Sequence, residues 1–147
     1  MAYITNADIE QRLGHVAYVQ LTDDYGTGIA DEVKIDEARL GAEGEVDSYL
    51  GRRYAVPINL ALYPETAGVL KSITLDLAEY RLHCRRSPVP EEVIAKRELA
   101  VRWLQGIATG ELVLPTTTEP ASNPASGFEA RVTGNLRILT PDEMKDL

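Results

Sequence analysis

Two histidines and one cysteine, His15, His83 and Cys84, are the whole stock of imidazole and thiol in this 147-residue chain. A Cys–His nucleophile pair needs its side chains to face one another. His83 and Cys84 are adjacent, and neighbouring residues on a helix do not share a face, so that pairing fails. Cys84 instead falls in an apolar stripe, where a thiol packs as a small hydrophobe. Tyr80 and Trp103 read as packing residues in the same way. A single cysteine excludes an internal disulfide and a cysteine-based zinc site. The run Asp23-Asp24-Tyr25-Gly26-Thr27-Gly28 has a faint likeness to a calcium loop. Counted from Asp23, however, the third position is Tyr25 and the twelfth is Lys34, where a carboxylate is required. Gly26-x-Gly28 has no preceding strand, no third glycine and no following Gly-Lys-Ser/Thr, so it is a turn rather than a phosphate cradle. No catalytic set, cofactor site or metal site emerges, and the chain is expected not to be an enzyme.

Charge carries more information. The formal net charge is −8. All of that excess lies in residues 1–48, which hold eleven acids and three bases; the remainder is neutral. A protein that grips DNA needs the opposite sign, because affinity comes mostly from Lys and Arg at phosphates. An acidic surface that DNA passes without sticking remains compatible. The basic concentration is Arg52, Arg53, Arg81, Arg85 and Arg86. Some of these sit where a cation favours the end of a helix dipole. They could also meet the acidic first 48 residues of a neighbouring copy, a head-to-tail contact of the kind that builds rings.

The elements that must position these residues are mostly helices. Thr5 with Asp8 forms a capping pattern and Gly14 a stop, which predicts a first helix over about 6–13. Residues 22–31 read as a loop, with Asp31 placed to cap a second helix over about 32–52. There Ile35, Ala38, Ala42, Val46, Tyr49 and Leu50 form one stripe. Gly41 and Gly44 lie off it, either because a neighbour approaches closely or because the helix tolerates them. Tyr54, Val56, Ile58, Leu60 and Leu62 alternate around Pro57, which predicts an extended, buried connection rather than a central strand. A third helix over about 65–86 carries two apolar stripes. Val69, Leu70, Ile73, Leu77, Tyr80 and Cys84 form one, and Leu75, Ala78 and Leu82 the other, as in the central helix of a bundle. A fourth, over about 90–108, turns Val93, Ala100, Trp103, Leu104 and Ile107 inward and stops at Gly110.

Residues 1–114 therefore read as a helical domain. Residues 115–127 are a linker rich in Pro, Thr and Ser, and 128–147 a C-terminal docking arm. In the arm Phe128, Ala130 and Val132 alternate, Gly134-Asn135 suits a tight turn, and Leu136 and Ile138 suit a return strand. Thr140-Pro141 suits the start of a final short helix. Phe128, Val132, Leu136, Ile138, Leu139 and Met144 are its candidate contacts to a partner. No apolar run reaches the roughly 18 residues of a membrane span, and the start lacks a signal-peptide pattern, so a reduced, cytoplasm-made protein without a membrane partner is expected.

Several motifs resemble one family in order along the chain. Tyr3-Ile4-Thr5, Asp8-Ile9, Arg12-Leu13-Gly14, Gln20-Leu21-Thr22-Asp23-Asp24 and Gly26-x-Gly28 resemble the opening of the Mu-like phage head–tail adaptor family, the neck connectors. Val46-Asp47-Ser48-Tyr49-Leu50-x-x-Arg53-Tyr54 followed by Pro57, and Leu75-Asp76-Leu77-Ala78-Glu79-Tyr80-Arg81-Leu82, resemble its middle. Ile107-Ala108-x-Gly110-x-x-x-Leu114-Pro115 resembles its fourth-helix exit, and Leu139-Thr140-Pro141-Asp142-Glu143-Met144-Lys145 its C-terminal end. The long Pro/Thr/Ser linker has no counterpart among these motifs.

The resemblance implies a mainly α fold: a four-helix adaptor-type bundle with an extended C-terminal arm carrying a small β-hairpin and a short helix. It also implies a ring, expected to be twelvefold, under the portal of a tailed phage, at the neck of the virion. The expected partners are the portal protein, neighbouring copies of the chain and a head-closure or tail-completion protein. Genomic DNA would pass through the lumen without sequence-specific binding. On that reading Asp36, Glu37, Glu43 and Asp47 face the channel, the five arginines serve subunit contacts and the arm docks on the portal or a neighbour. The rival reading is a stand-alone cytoplasmic interaction or regulatory helical module.

Overall fold

The computed structural model describes residues 2–115, which form five helices and no strand. They are α1 (Asn6–Leu13), α2 (His15–Thr22), α3 (Glu32–Leu50), α4 (Pro64–His83) and α5 (Glu91–Thr109). Four of them match the helices expected from the sequence; α2 is the addition. The expected hairpin and terminal helix of residues 128–147, and the linker before them, lie outside the described residues.

Local chemistry sets the helix ends. Thr5 and Asp8 form a reciprocal capping box, with Asp8 N donating to Thr5 Oγ1 at 3.2 Å and Thr5 N to Asp8 Oδ2 at 2.8 Å. Gly14, at φ +81°, ends α1 and begins α2 in one residue. α2 lacks a side-chain cap and is only eight residues long. Its burial of Tyr18, Leu21 and Thr22 holds it in place, because a helix this short owes its existence to tertiary packing. Asp31 caps α3 by accepting from Val33 N at 3.1 Å. Pro64 opens α4 at the position where its missing N–H costs nothing. Gly110 closes α5 in the left-handed region at φ +88°.

α3, α4 and α5 each pack against the other two, while α1 and α2 lie against α3 and α4. The buried stripe of α3 is Ile35, Ala38, Ala42, Val46 and Leu50, as its periodicity predicts. α4 is buried on two sides, through Leu70, Ile73 and Leu77 and through Leu75, Ala78 and Leu82. It is the central helix. α5 buries Val93, Ala100, Leu104 and Ile107.

Three expectations about burial are corrected. Cys84 is exposed, because α4 ends at His83 and an apolar stripe extrapolated past a helix end has no partner. Trp103 is 44% exposed, at the edge of the buried arc of α5 rather than inside it, and Val69 of α4 is similarly uncovered at 40%. The connection between α3 and α4 buries Tyr54 and Ile58 but leaves Val56 and Leu62 outside.

Candidate functional site

Three of the four acids expected to face a channel are occupied within the chain. Glu43 Oε1 accepts from Tyr3 N at 2.9 Å and Ile4 N at 3.3 Å. Asp47 accepts from the Tyr3 hydroxyl, whose oxygen in turn accepts from Ile58 N at 3.0 Å. Burial and the adjacent Asp47 carboxylate push the Tyr3 phenol well above its ordinary pKa. Asp36 accepts from Asn6 Nδ2 at 2.9 Å and pairs with Arg39 at 3.1 Å. These acids seat the N-terminal segment and α1 on α3, and through Tyr3 they also fix the α3–α4 connection. Glu37 is different: it is exposed and makes no ion pair among the described residues.

The arginines divide in the same way. Arg81 Nη2 meets Glu45 Oε2 at 2.9 Å, and Arg97 reaches the same carboxylate at 3.6 Å while stacking on the Tyr80 ring, 4.7 Å from its centre. Arg85 Nη2 donates to Asp24 Oδ2 at 2.7 Å and its Nε to Leu21 O at 3.3 Å. Arg86 Nη2 donates to Asp23 O at 2.9 Å. Asp24 also takes Lys34 Nζ at 2.6 Å, so one carboxylate ties together the α2–α3 loop, the start of α3 and the end of α4. Lys34 first and Arg85 next hold Asp24 below the usual carboxylate range. Arg53 lies half-buried over Gly110, where an added Cβ would fall 1.5 Å from its Nη1. Only Arg52 of the five is exposed with no ion pair among the described residues.

Arg81, Arg85 and Glu37 do meet, with Lys34, Glu45 and Arg97, around an open groove of about 400 Å³ between α3, α4 and α5. Its lining carries four cations and two carboxylates; Glu45 takes Arg81 and Arg97, and Asp24 takes Lys34 and Arg85. Tyr80 and Cys84 line it too, and the hydrogen bond between them raises the Tyr80 phenol. The two off-stripe glycines of α3 separate here. Arg81 covers Gly41, where an added Cβ would stand 2.8 Å from its Nη1, whereas Gly44 faces open space.

The loop at residues 23–31 is built as tightly as a helix end. The Asp23 carboxylate accepts from Gly28 N at 2.6 Å, Tyr25 N at 3.2 Å and Thr27 Oγ1 at 3.2 Å. Backbone donors at Thr27 and Gly28 hold its pKa down. The Thr22 hydroxyl accepts from Asp31 N at 3.2 Å and donates to Tyr18 O at 2.8 Å, closing the base of the loop. This frame presents Tyr25, 88% exposed, and Ile29, exposed as well. Val33 and Leu40, seven residues apart, share one face of α3 and are both exposed.

The bundle and its frame now have a relative. The family model described as Bacteriophage Mu, Gp36 matches residues 3–132. The chain belongs to that family. It is a Mu-like phage protein, and membership of the Mu Gp36 family points to a structural or morphogenetic role rather than to any one position in the particle. No curated protein matches the chain. Among the described residues of this Mu Gp36 family member, no helix is long and apolar enough to cross a membrane.

Sequence reasoning missed two features of this family member. The first is the Asp24 hub, because a carboxylate in a turn gives no sign of which distant cations will meet it. The second is an apolar groove of about 330 Å³ between α4 and α5, whose lining includes Val69, Ile73, Leu99, Ala100 and Trp103 together with Asp76. Its signal was present: Val69 and Trp103 lie off the deepest lines of their stripes. A periodicity count, however, treats a half-exposed position as inward.

Proposed function

We propose that this chain is a head–tail adaptor. Copies of it form a ring, twelvefold by resemblance, beneath the portal at the virion neck, extend the DNA channel and receive the head-closure or tail-completion protein. The observation that carries this reading is the set of exposed apolar residues Tyr25 and Ile29, on a loop held by Asp23 and Asp24, and Val33 and Leu40, on α3. A rigid, solvent-facing apolar surface on a small helical protein is what a protein–protein contact needs. The excess of acid in residues 1–48 fits DNA passage without capture. Glu37, rather than the internally paired Asp36, Glu43 and Asp47, is the acid of the original four available to a lumen. Arg52 is the arginine available to a neighbour.

The deciding experiment mixes purified protein with portal rings from the same phage and images them by negative-stain microscopy. A collar of added density on one end of each ring, with its symmetry, establishes the adaptor role and the copy number. Bare rings with folded protein left in solution at well above micromolar concentration return the chain to the class of stand-alone interaction modules.

A further inference from the structure

We propose that the apolar groove between α4 and α5 is occupied, in the free protein, by the C-terminal segment of the same chain, with Phe128 and Val132 seated against Val69, Leu99 and Trp103. This does not depend on the adaptor reading; it concerns the isolated chain.

The groove needs an occupant of its own scale. Leu99 is 53% exposed, Trp103 44% and Val69 40%, so three large apolar side chains stand together uncovered. Its volume of about 330 Å³ has room for one or two side chains. That is the low end of small binding pockets. Asp76 is the only charged residue in its lining and is already bridged by Arg12. An anionic ligand would find no free cation there. The chemistry that fits is a short apolar peptide.

The place where the described chain ends favours its own continuation. Leu112 lies over Gly106, with its N–H donating to Gly106 O at 3.0 Å. Leu114 is buried, and its N–H donates to the Tyr54 hydroxyl at 3.0 Å. The exit at Pro115 is thus fixed beside the last turn of α5. Trp103 lies seven residues before Gly110, roughly 10 Å along the helix axis. Residues 116–127 are polar, rich in Pro, Thr and Ser, and as twelve residues they span up to about 40 Å when extended. They can deliver the next apolar residues to the groove with slack. Those residues are Phe128, Ala130 and Val132, alternating with Glu129 and Arg131, so an extended segment has one apolar side to bury and one charged side for water. Tethering gives the segment an effective concentration on the order of millimolar, which a free partner in solution does not match. The family match also continues past the described residues to residue 132, taking in this segment.

The chain supplies its own reporter, since Trp103 is its single tryptophan. The test uses the full-length protein and compares it with the Phe128→Ser/Val132→Ser double variant. The substituted residues belong to none of the five described helices, and circular dichroism checks that those helices are intact. The expected result is a red shift of Trp103 emission and a rise in acrylamide quenching in the variant, both independent of protein concentration. A second variant, Leu99→Glu, places a charge on the already exposed lip of the groove; it is expected to speed trypsin cleavage after Arg131 and Arg137. Identical emission, quenching and cleavage in wild type and variants overturns the proposal. Protection of Trp103 that grows with protein concentration also overturns it, and assigns the groove to a second copy.

Discussion

At the residue scale, Tyr3 and Gly110 each hold distant parts of the chain together. Tyr3 is buried, its hydroxyl donates a hydrogen bond to Asp47 and accepts one from the buried Ile58 N–H. Tyr3→Phe keeps the ring but strips that N–H of its acceptor, and a buried donor left without a partner costs about 1–3 kcal/mol. Urea unfolding is expected to show a loss in that range with helix content unchanged; a neutral result would mean water replaces the hydroxyl. Gly110 is constrained twice, by φ +88° and by the Arg53 guanidinium lying where a Cβ would be. Gly110→Ala is therefore expected to cost more than the roughly 1–2 kcal/mol of a left-handed alanine alone. Adding Arg53→Ala should recover the steric part and leave the backbone part, which a double-mutant cycle read by thermal unfolding resolves. The sequence marked Gly110 as a helix stop, since its position after an apolar stripe is a local signal. Nothing local marked Tyr3, whose partners lie 44 and 55 residues away.

At the scale of elements, the helices were legible wherever a capping residue and at least three turns of apolar spacing coincided, as in α3 and α5. α1 was legible from its capping box and the Gly14 stop. α2 was not, because an eight-residue helix without a polar cap repeats its apolar spacing barely twice. What joins these elements is mostly carboxylate chemistry, and this makes their docking sensitive to acid. Lys71 holds Asp8 below its ordinary pKa, Lys34 does so for Asp24 and Asp31, and Asn6 with Arg39 does so for Asp36. A lowered folded-state pKa contributes stability that is present above the unfolded value, about 4, and is lost as pH falls through the folded value. Asp76 works the other way: burial raises its pKa despite Arg12, so its charge is a cost that protonation relieves. With Asp23, held down by backbone donors, five lowered aspartates outnumber the one raised. The urea midpoint is therefore expected to fall steadily below about pH 4. Asp24→Asn should flatten that slope, and hydrogen exchange should quicken at residues 23–31 with α4 and α5 still protected. An unchanged slope would show that the Asp24 hub forms too weakly to matter.

For the whole molecule, composition revealed the charge asymmetry but not where the charges are spent. Eleven acids in the first 48 residues and a group of five arginines suggest two faces of opposite sign waiting for different copies. Within the fold much of that attraction is satisfied inside one copy: Asp24 with Arg85 and Arg86, and Glu45 with Arg81. A one-dimensional charge count cannot separate internal from external pairing, because either arrangement brings acids and bases together. The two classes are expected to respond differently to reversal. Arg85→Glu sets a carboxylate against Asp24 and should lower the melting temperature of the isolated protein before assembly is considered. Arg52→Glu removes no ion pair among the described residues, so it should leave melting unchanged, as surface substitutions away from such features usually do. If copies meet as an adaptor ring requires, the same variant should fail to add density to portal rings. Wild-type incorporation should in turn weaken as salt rises, since exposed pairs are screened beyond about 8 Å at physiological ionic strength. An Arg52→Glu protein that melts normally and still builds a full collar would remove Arg52 from the subunit contact. The exposed apolar residues Tyr25, Ile29, Val33 and Leu40 would then be left as the surface on which the ring is assembled.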